Sequence, residues 1–308
     1  MSIYQNSSLL SNFGTIACVD ASYMMYHTIY SAVNKWRSES PNSDILDNFD
    51  ETIDEQRDLT IYADFIDTLD SKIIETLFRI NNMVNDYVSS NGSSLMGKIL
   101  LVFDPPKDAK LKSWRYLIYK EYKGQRGFQR NKMAFNVKKI FFKMMDMLLY
   151  DDKYRNRFNL DTVYSDGCEA DDIIATYFTD NKNKTYHKFL IASDKDYLQL
   201  EGVVQMTLEG KAVEIEQPYP DLVQMTPKTY LLAKIIMGDT SDNITQVFNR
   251  VGYKTAVKKY VSNIQYLTES LKNDEVAKEK FERNMNLIDF KRMPSSIRQL
   301  SRKALGLC

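Results

Sequence analysis

Short, uniformly apolar runs alternate with longer amphipathic ones along this chain. Residues 15–19 (TIACV), 98–103 (KILLVF) and 189–192 each read as a strand covered on both faces, because apolar positions follow one another without a polar alternation. Residues 163–164 close a further short strand before Gly167. A helical stretch runs from Asp20 to about Trp36, and the polar segment 39–51 (ESPNSDILDNFDE) reads as a loop. Across 59–88, Ile66, Leu69, Ile73, Ile74, Leu77 and Ile80 recur on one side of a helix. Segments 203–207 and 212–215 flank Glu209 and Gly210 as a hairpin, and the pattern is helical from Thr226 to the end.

Strands alternating with helices predict an α/β fold with a mainly parallel central sheet flanked by helices. Such sheets gather ligands at the carboxyl ends of their strands. Asp20, Asp104 and Asp194 each stand at such an end, and Glu169, Asp171 and Asp172 follow another.

The 308 residues, 44% of them hydrophobic, suffice for one large core or a core with an appendage. Net charge is zero, so the total points to no polyanionic partner, but its distribution does. Residues 39–70 hold eleven acidic residues and one base, Arg57, whereas 107–143 hold twelve basic residues against Asp108 and Glu121. Cys18, Cys168 and Cys308 form no zinc pattern and suit a reducing compartment. No run approaches the roughly 20 apolar residues of a membrane helix, and the N-terminus lacks a secretory pattern. The expectation is an intracellular monomer without membrane association, in the host cytoplasm if phage-encoded.

Nine carboxylates stand out: Asp20, Asp104, Glu169, Asp171, Asp172, Asp194, Asp196, Asp239 and Asp242. Singly, each has a local explanation, such as a helix N-terminus or a turn. Gathered at one sheet edge they repel and raise one another's pKa, so a cation must compensate. Oxygen donors with only His27 and His187 in the chain suit a hard metal, Mg2+ or Mn2+. Two such ions about 4 Å apart can activate water and stabilise a leaving oxygen. In the segment 112–130 (KSWRYLIYKEYKGQRGFQR), Arg115, Tyr119, Tyr122, Lys123 and Arg126 fall at helical spacings, with Arg130 beyond. Bases neutralise phosphates there and rings stack on nucleobases.

The ordered set of Asp20, Asp104 after KILLVF, WRYLIYKEYKGQR, GCEADDIIA, ASDKDYLQL and IMGDTSDNI resembles the phage-type 5′-to-3′ exonuclease and flap endonuclease family, the T-even phage ribonuclease H included. The resemblance runs from about residue 15 to 290, with FERNMNLIDF similar to the family's C-terminal helix. It implies a PIN-like nuclease core over 1–225 with a helical arch at about 107–145. It also implies a helical duplex-binding region over 226–308, built on a helix–three-turn–helix element. By motif, Asp20, Asp104, Glu169, Asp171 and Asp194 would serve a first Mg2+, and Asp196, Asp239 and Asp242 a second. Asp172 would bridge the two groups, Lys123 and Arg126 would act on the scissile phosphate, and Tyr122 would handle the 5′ strand. Lys254, Lys258 and Lys259 would meet duplex phosphates. The glycine-rich turn of many relatives is reduced here to Gly252, which leaves a monovalent cation at that turn unassigned.

The implied activity is metal-dependent hydrolysis at 5′ ends of branched, nicked or RNA-primed duplexes, with ribonuclease H-type action on RNA–DNA hybrids, as in replication primer removal. Single-strand-binding protein or a sliding clamp would be the kind of protein partner involved. A PIN-type single-strand ribonuclease would not need the region after Thr226. A non-catalytic branched-DNA-binding protein would not need every carboxylate, and a Mg2+-dependent phosphatase would not need the basic segment.

Overall fold

The computed structural model describes residues 15–40, 55–91, 97–105, 113–124, 137–180 and 187–307. Five strands form one sheet in the order β3-β2-β1-β4-β5, every neighbouring pair parallel. They are β1 (Thr15–Asp20), β2 (Gly97–Val102), β3 (Leu160–Val163), β4 (His187–Ile191) and β5 (Val204–Met206). The chain builds outward from β1 to β3, then returns to the other side of β1 for β4 and β5. That reversal opens a crevice at the carboxyl ends of β1 and β4, where such sheets place their ligands.

The apolar runs are continuous because both sheet faces are covered. Ala17, Val19, Ile99, Leu101, Phe189 and Ile191 face helices α1 (Ala21–Glu39), α2 (Glu55–Ser90), α4 (Val137–Tyr150) and α5 (Asp152–Phe158). Ile16, Cys18, Leu100, Val102 and Leu190 face the opposite layer, made by α6 (Ala170–Thr179) and the last helix, α11 (Ser295–Ala304). A third cluster joins α7 (Pro227–Met237), α8 (Tyr253–Ala256), its π-helical continuation Val257–Val261, and α9 (Ile264–Asn273). Helix α10 (Glu275–Ile288) packs back on α7.

Two expectations change. The hairpin is only half formed: β5 pairs with β4, while the returning arm makes a single antiparallel bridge, Met206 to Ala212. The Val213 amide still donates to the Gln205 carbonyl at 2.9 Å, while the side chains of Val213 and Ile215 pack against the third cluster. The basic segment is not a helical face either. Its described part holds one helical turn, α3 (Arg115–Ile118), after which Tyr119 is extended and Lys123 adopts a left-handed backbone with φ 55°. The rest of the expected arch up to α4, and most of the acidic segment 39–70 before Ala63, lie outside the described backbone or side chains.

Candidate active site

Most of the carboxylates are fixed by the local structure that follows a strand, and Asp239 by the turn that ends α7. Asp20 caps α1, accepting from the Tyr23 amide at 3.0 Å, and takes the Tyr197 hydroxyl at 3.3 Å. Asp104 accepts from Ser22 Oγ at 3.0 Å and from the Ala170 amide at 2.9 Å, tying the end of β2 to the start of α6. Asp172, fully buried, accepts from the Glu169 amide at 3.0 Å and the Trp114 indole at 3.1 Å. Asp194 caps the 3-10 turn Lys195–Gln199 through the Asp196 amide at 2.8 Å. Asp239 accepts from the Ser241 amide and hydroxyl at 2.7 and 2.6 Å. Gly238 just before it has φ 69°, and a side chain there would collide with the Ile244 carbonyl, so glycine alone lets α7 turn into Asp239.

Tyr122 joins the halves: its hydroxyl lies 3.0 Å from both Glu169 and Asp242. It has one proton, so it can donate to one of them at a time. The segment after α3 is latched to the same turn. Lys123 N donates to Asp242 O at 2.9 Å and Asn243 Nδ2 donates to Glu121 O at 2.9 Å.

Three cations sit among these acids. Arg115, 2% exposed, reaches Glu169 at 2.7 Å, Asp172 at 3.0 Å and Asp171 at 3.3 Å, and its Nε donates to the Leu287 carbonyl at 3.0 Å. Lys123 pairs with Glu169 and lies over the Tyr122 ring. Lys234 stands 2.7 Å from both Asp196 and Asp239. Against the effect of its burial, Lys123 and Arg115 hold the Glu169 carboxyl down at about 2. Lys234, likewise opposing burial, holds Asp239 low. Elsewhere burial wins. It lifts Asp20 to about 6 with help from Asp104, and Asp196 to about 7 with help from Asp194, and it raises Asp171 despite Arg115.

All-oxygen carboxylate donors with residual like-charge repulsion fit a hard divalent cation. Among the described residues, no three His, Cys, Asp or Glu side chains converge as a ready ligand set. Arg115, Lys123 and Lys234 draw five of the nine acids to themselves.

Residues 15–223 match the family model for the 5′-3′ exonuclease, N-terminal resolvase-like domain. The chain belongs to that 5′-3′ exonuclease family. It is 28% identical over 191 residues to a 5′-3′ exonuclease of Buchnera aphidicola subsp. Schizaphis graminum, covering 60% of this chain and 58% of that one. It is 31% identical over 196 residues to DNA polymerase I of Bacillus subtilis, covering 61% of this chain and 20% of the polymerase. The fold is shared with the bacteriophage T5 D15 protein crystallised with metal ions, at 17% identity and TM-score 0.56, over 96% of this chain and 99% of that one. The T5 D15 flap endonuclease, solved with DNA and metal ions, matches at 16% identity and TM-score 0.55, over 95% of this chain and 98% of that one.

Within this exonuclease-family chain, Arg115, Lys123 and Tyr122 tie Glu169, Asp171, Asp172 and Asp242 together, and Lys234 ties Asp196 to Asp239. Asp20, Asp104 and Asp194 lie near enough for Asp20 to feel the charge of Asp104, and Asp194 that of Asp20 and Asp242. Arg115 joins them as a buried counter-ion, turned away from the solvent-facing position that its spacing suggested. The reason is that three acids around α6 offer it more than water does. Tyr119 is half-buried, with Arg283 over its ring at 4.6 Å. Lys254, Lys258 and Lys259 face solvent on the helix that starts at Gly252. Arg126 and Arg130 lie outside the described residues. Lys234, Trp114 and Tyr197 are among the site residues that escaped the sequence reading. Lys234 had a signal: it is a single lysine inside the apolar helix run LLAKIIM, and buried lysines are rare unless paired.

Among the described residues no helix is long and apolar enough to cross a membrane.

Proposed function

We propose that this chain hydrolyses phosphodiester bonds at the 5′ ends of branched, nicked or RNA-primed duplexes, using two divalent cations, Mg2+ or Mn2+. The observation that carries the reading is the gathering of acids beyond the carboxyl ends of the parallel strands, to which Asp242 and Asp239 of the turn after α7 are joined through Tyr122 and Lys234, countered from within by Arg115, Lys123 and Lys234. Asp20, Asp104, Glu169, Asp171 and Asp194 would hold one ion, and Asp196, Asp239 and Asp242 the other. When bound, such ions supply an acidified water and charge for a leaving oxygen.

The chain's own groups do the rest. Lys123 is a flexible cation at the rim of the network, able to pass from Glu169 to a substrate phosphate as charge builds there. Asp172 holds the first turn of α6 through the Glu169 amide and so positions Glu169 and Asp171. Lys254, Lys258 and Lys259 offer three solvent-facing charges to a duplex backbone. The DNA and metal ions bound by the T5 D15 flap endonuclease, which has the same fold, support this reading.

The test is cleavage of 5′-labelled flap, nicked and RNA-primed duplexes with Mg2+ or with EDTA. Asp194→Asn should abolish cleavage and leave binding largely intact, since it removes a charge that repels phosphate. Cleavage by Asp194→Asn at the unaltered rate would overturn the assignment.

A further inference from the structure

Lys234 comes from α7, which lies beyond residue 223, where the family match ends. It stands between an acid of the nuclease core, Asp196, and an acid of the turn after α7, Asp239, at 2.7 Å from each. Its side chain is 10% exposed, and theirs are 20% and 11% exposed. Asp194, a third acid, also feels its charge. A lysine so placed has left water behind, and only paired acids offset that cost. The pairing also spans two parts of the chain that otherwise present carboxylates to one another.

Lys234 differs from Arg115 in how firmly it is held. The Arg115 guanidinium is pinned on a further side by the Leu287 carbonyl and by the Trp114 ring at 4.7 Å. The Lys234 ammonium is held by acids and sits on a four-carbon stem that can swing away. Asp196 and Asp239 are also two of the three acids assigned above to the second ion.

We propose that Lys234 is a resident cation occupying the second ion's half of the site, so that a divalent ion entering there must displace the ammonium from Asp196 and Asp239. The inference rests on the two-ion reading given above. It gives Lys234 a positioning role with two effects. Without the ion, Lys234 keeps the two acids together. With the ion, its charge opposes binding and makes the second ion the weaker of the two. The order of filling is therefore set by the protein, first ion before second, and the second ion becomes the one sensitive to concentration.

The experiment is calorimetric titration of the full chain with Mn2+ in the absence of nucleic acid, for the unaltered protein, Lys234→Met and Lys234→Arg, with melting temperatures measured alongside. Lys234→Met should bind the weaker ion at least about tenfold more tightly, because a like charge a few ångströms away is gone. The tighter ion should change little, and Lys234→Arg should keep the weak site weak. The ion-free Lys234→Met should melt lower, and Mn2+ should raise its melting temperature by more than it raises that of the unaltered protein. If Lys234→Met is unfolded without metal, recovery of the fold on adding Mn2+ supports the exchange, and no recovery overturns it. An unchanged or weakened second site in folded Lys234→Met would make Lys234 a structural pairing residue only. Failure of the unaltered protein to bind any Mn2+ would instead overturn the two-ion reading itself, and this inference with it.

Discussion

Two basic stretches of this molecule, 113–124 and 253–261, look alike in sequence and do opposite things in the fold. Both mix lysine or arginine with tyrosine. In the first, Arg115, Tyr122 and Lys123 turn inward onto Glu169, Asp171, Asp172 and Asp242. In the second, Lys254, Lys258 and Lys259 stay in solvent over a buried row of Ala256, Val257, Tyr260 and Val261. The Lys259 ammonium lies 5.3 Å from the rings of both Tyr260 and Tyr266, and that of Lys258 5.8 Å from the ring of Tyr219. The difference is the company each stretch meets. A cation goes inward when acids are already buried and uncompensated, and outward when its helix has only an apolar face to bury. Basic composition alone does not mark a nucleic-acid surface.

The comparison breaks most sharply at Arg115. Arg115→Ala would leave buried acids without their partner, a loss of about 3–5 kcal/mol for a broken buried pair. A large fall in denaturant midpoint is expected, and Mg2+ should restore part of it by supplying charge to the same acids. A midpoint near that of the unaltered protein would return Arg115 to the surface class.

Lys123 is the intermediate case, inward but half-exposed at the rim. Lys123→Ala should slow single-turnover cleavage of a flap substrate at least about tenfold, with duplex affinity much less affected, because its interaction with phosphate strengthens as charge develops. Reduced affinity with an unchanged saturated rate would make it a docking residue like the outer lysines.

The outer stretch should give the smallest change in the fold. Lys254, Lys258 and Lys259 changed together to Ala should barely move the melting temperature. They should weaken binding to duplex-containing substrates more than to single strands. The slope of log affinity against log salt should fall by roughly one for each phosphate no longer neutralised. Equal weakening on single strands and duplexes would place these lysines on another part of the substrate path.

The sheet was legible because residues covered on both faces leave an unbroken apolar signal, as in β1 and β2. The acids were legible because each follows a strand, opens a helical turn or, like Asp239 and Asp242, lies in a turn of polar composition. The inward turn of Arg115 was not, since its partner Glu169 is 54 residues away and nothing local signals the approach. The same holds for the second arm of the hairpin, which keeps one bridge and the Val213 amide on β5 while its side chains pack against the third cluster. Helical spacing in 113–124 misled for a related reason: a latch to residues 242 and 243 overrides local periodicity. Lys234 was readable in principle, because a lone charge in an apolar helix five residues before an aspartate asks for a partner.

The indole that donates to Asp172 has an optical consequence. The chain has two tryptophans, Trp36 and Trp114. Trp36 is sealed in the apolar layer on the opposite face of the sheet from Trp114, edge-on to Phe65 at 6.0 Å between ring centroids. Trp114 touches both Asp172 and the Arg115 guanidinium, so its excited-state dipole senses the field of the acidic network directly. Emission from Trp114 is thus an intrinsic probe of the charge state there, with Trp36 as a constant background. Stopped-flow fluorescence of the unlabelled protein can follow events at the carboxylates in real time.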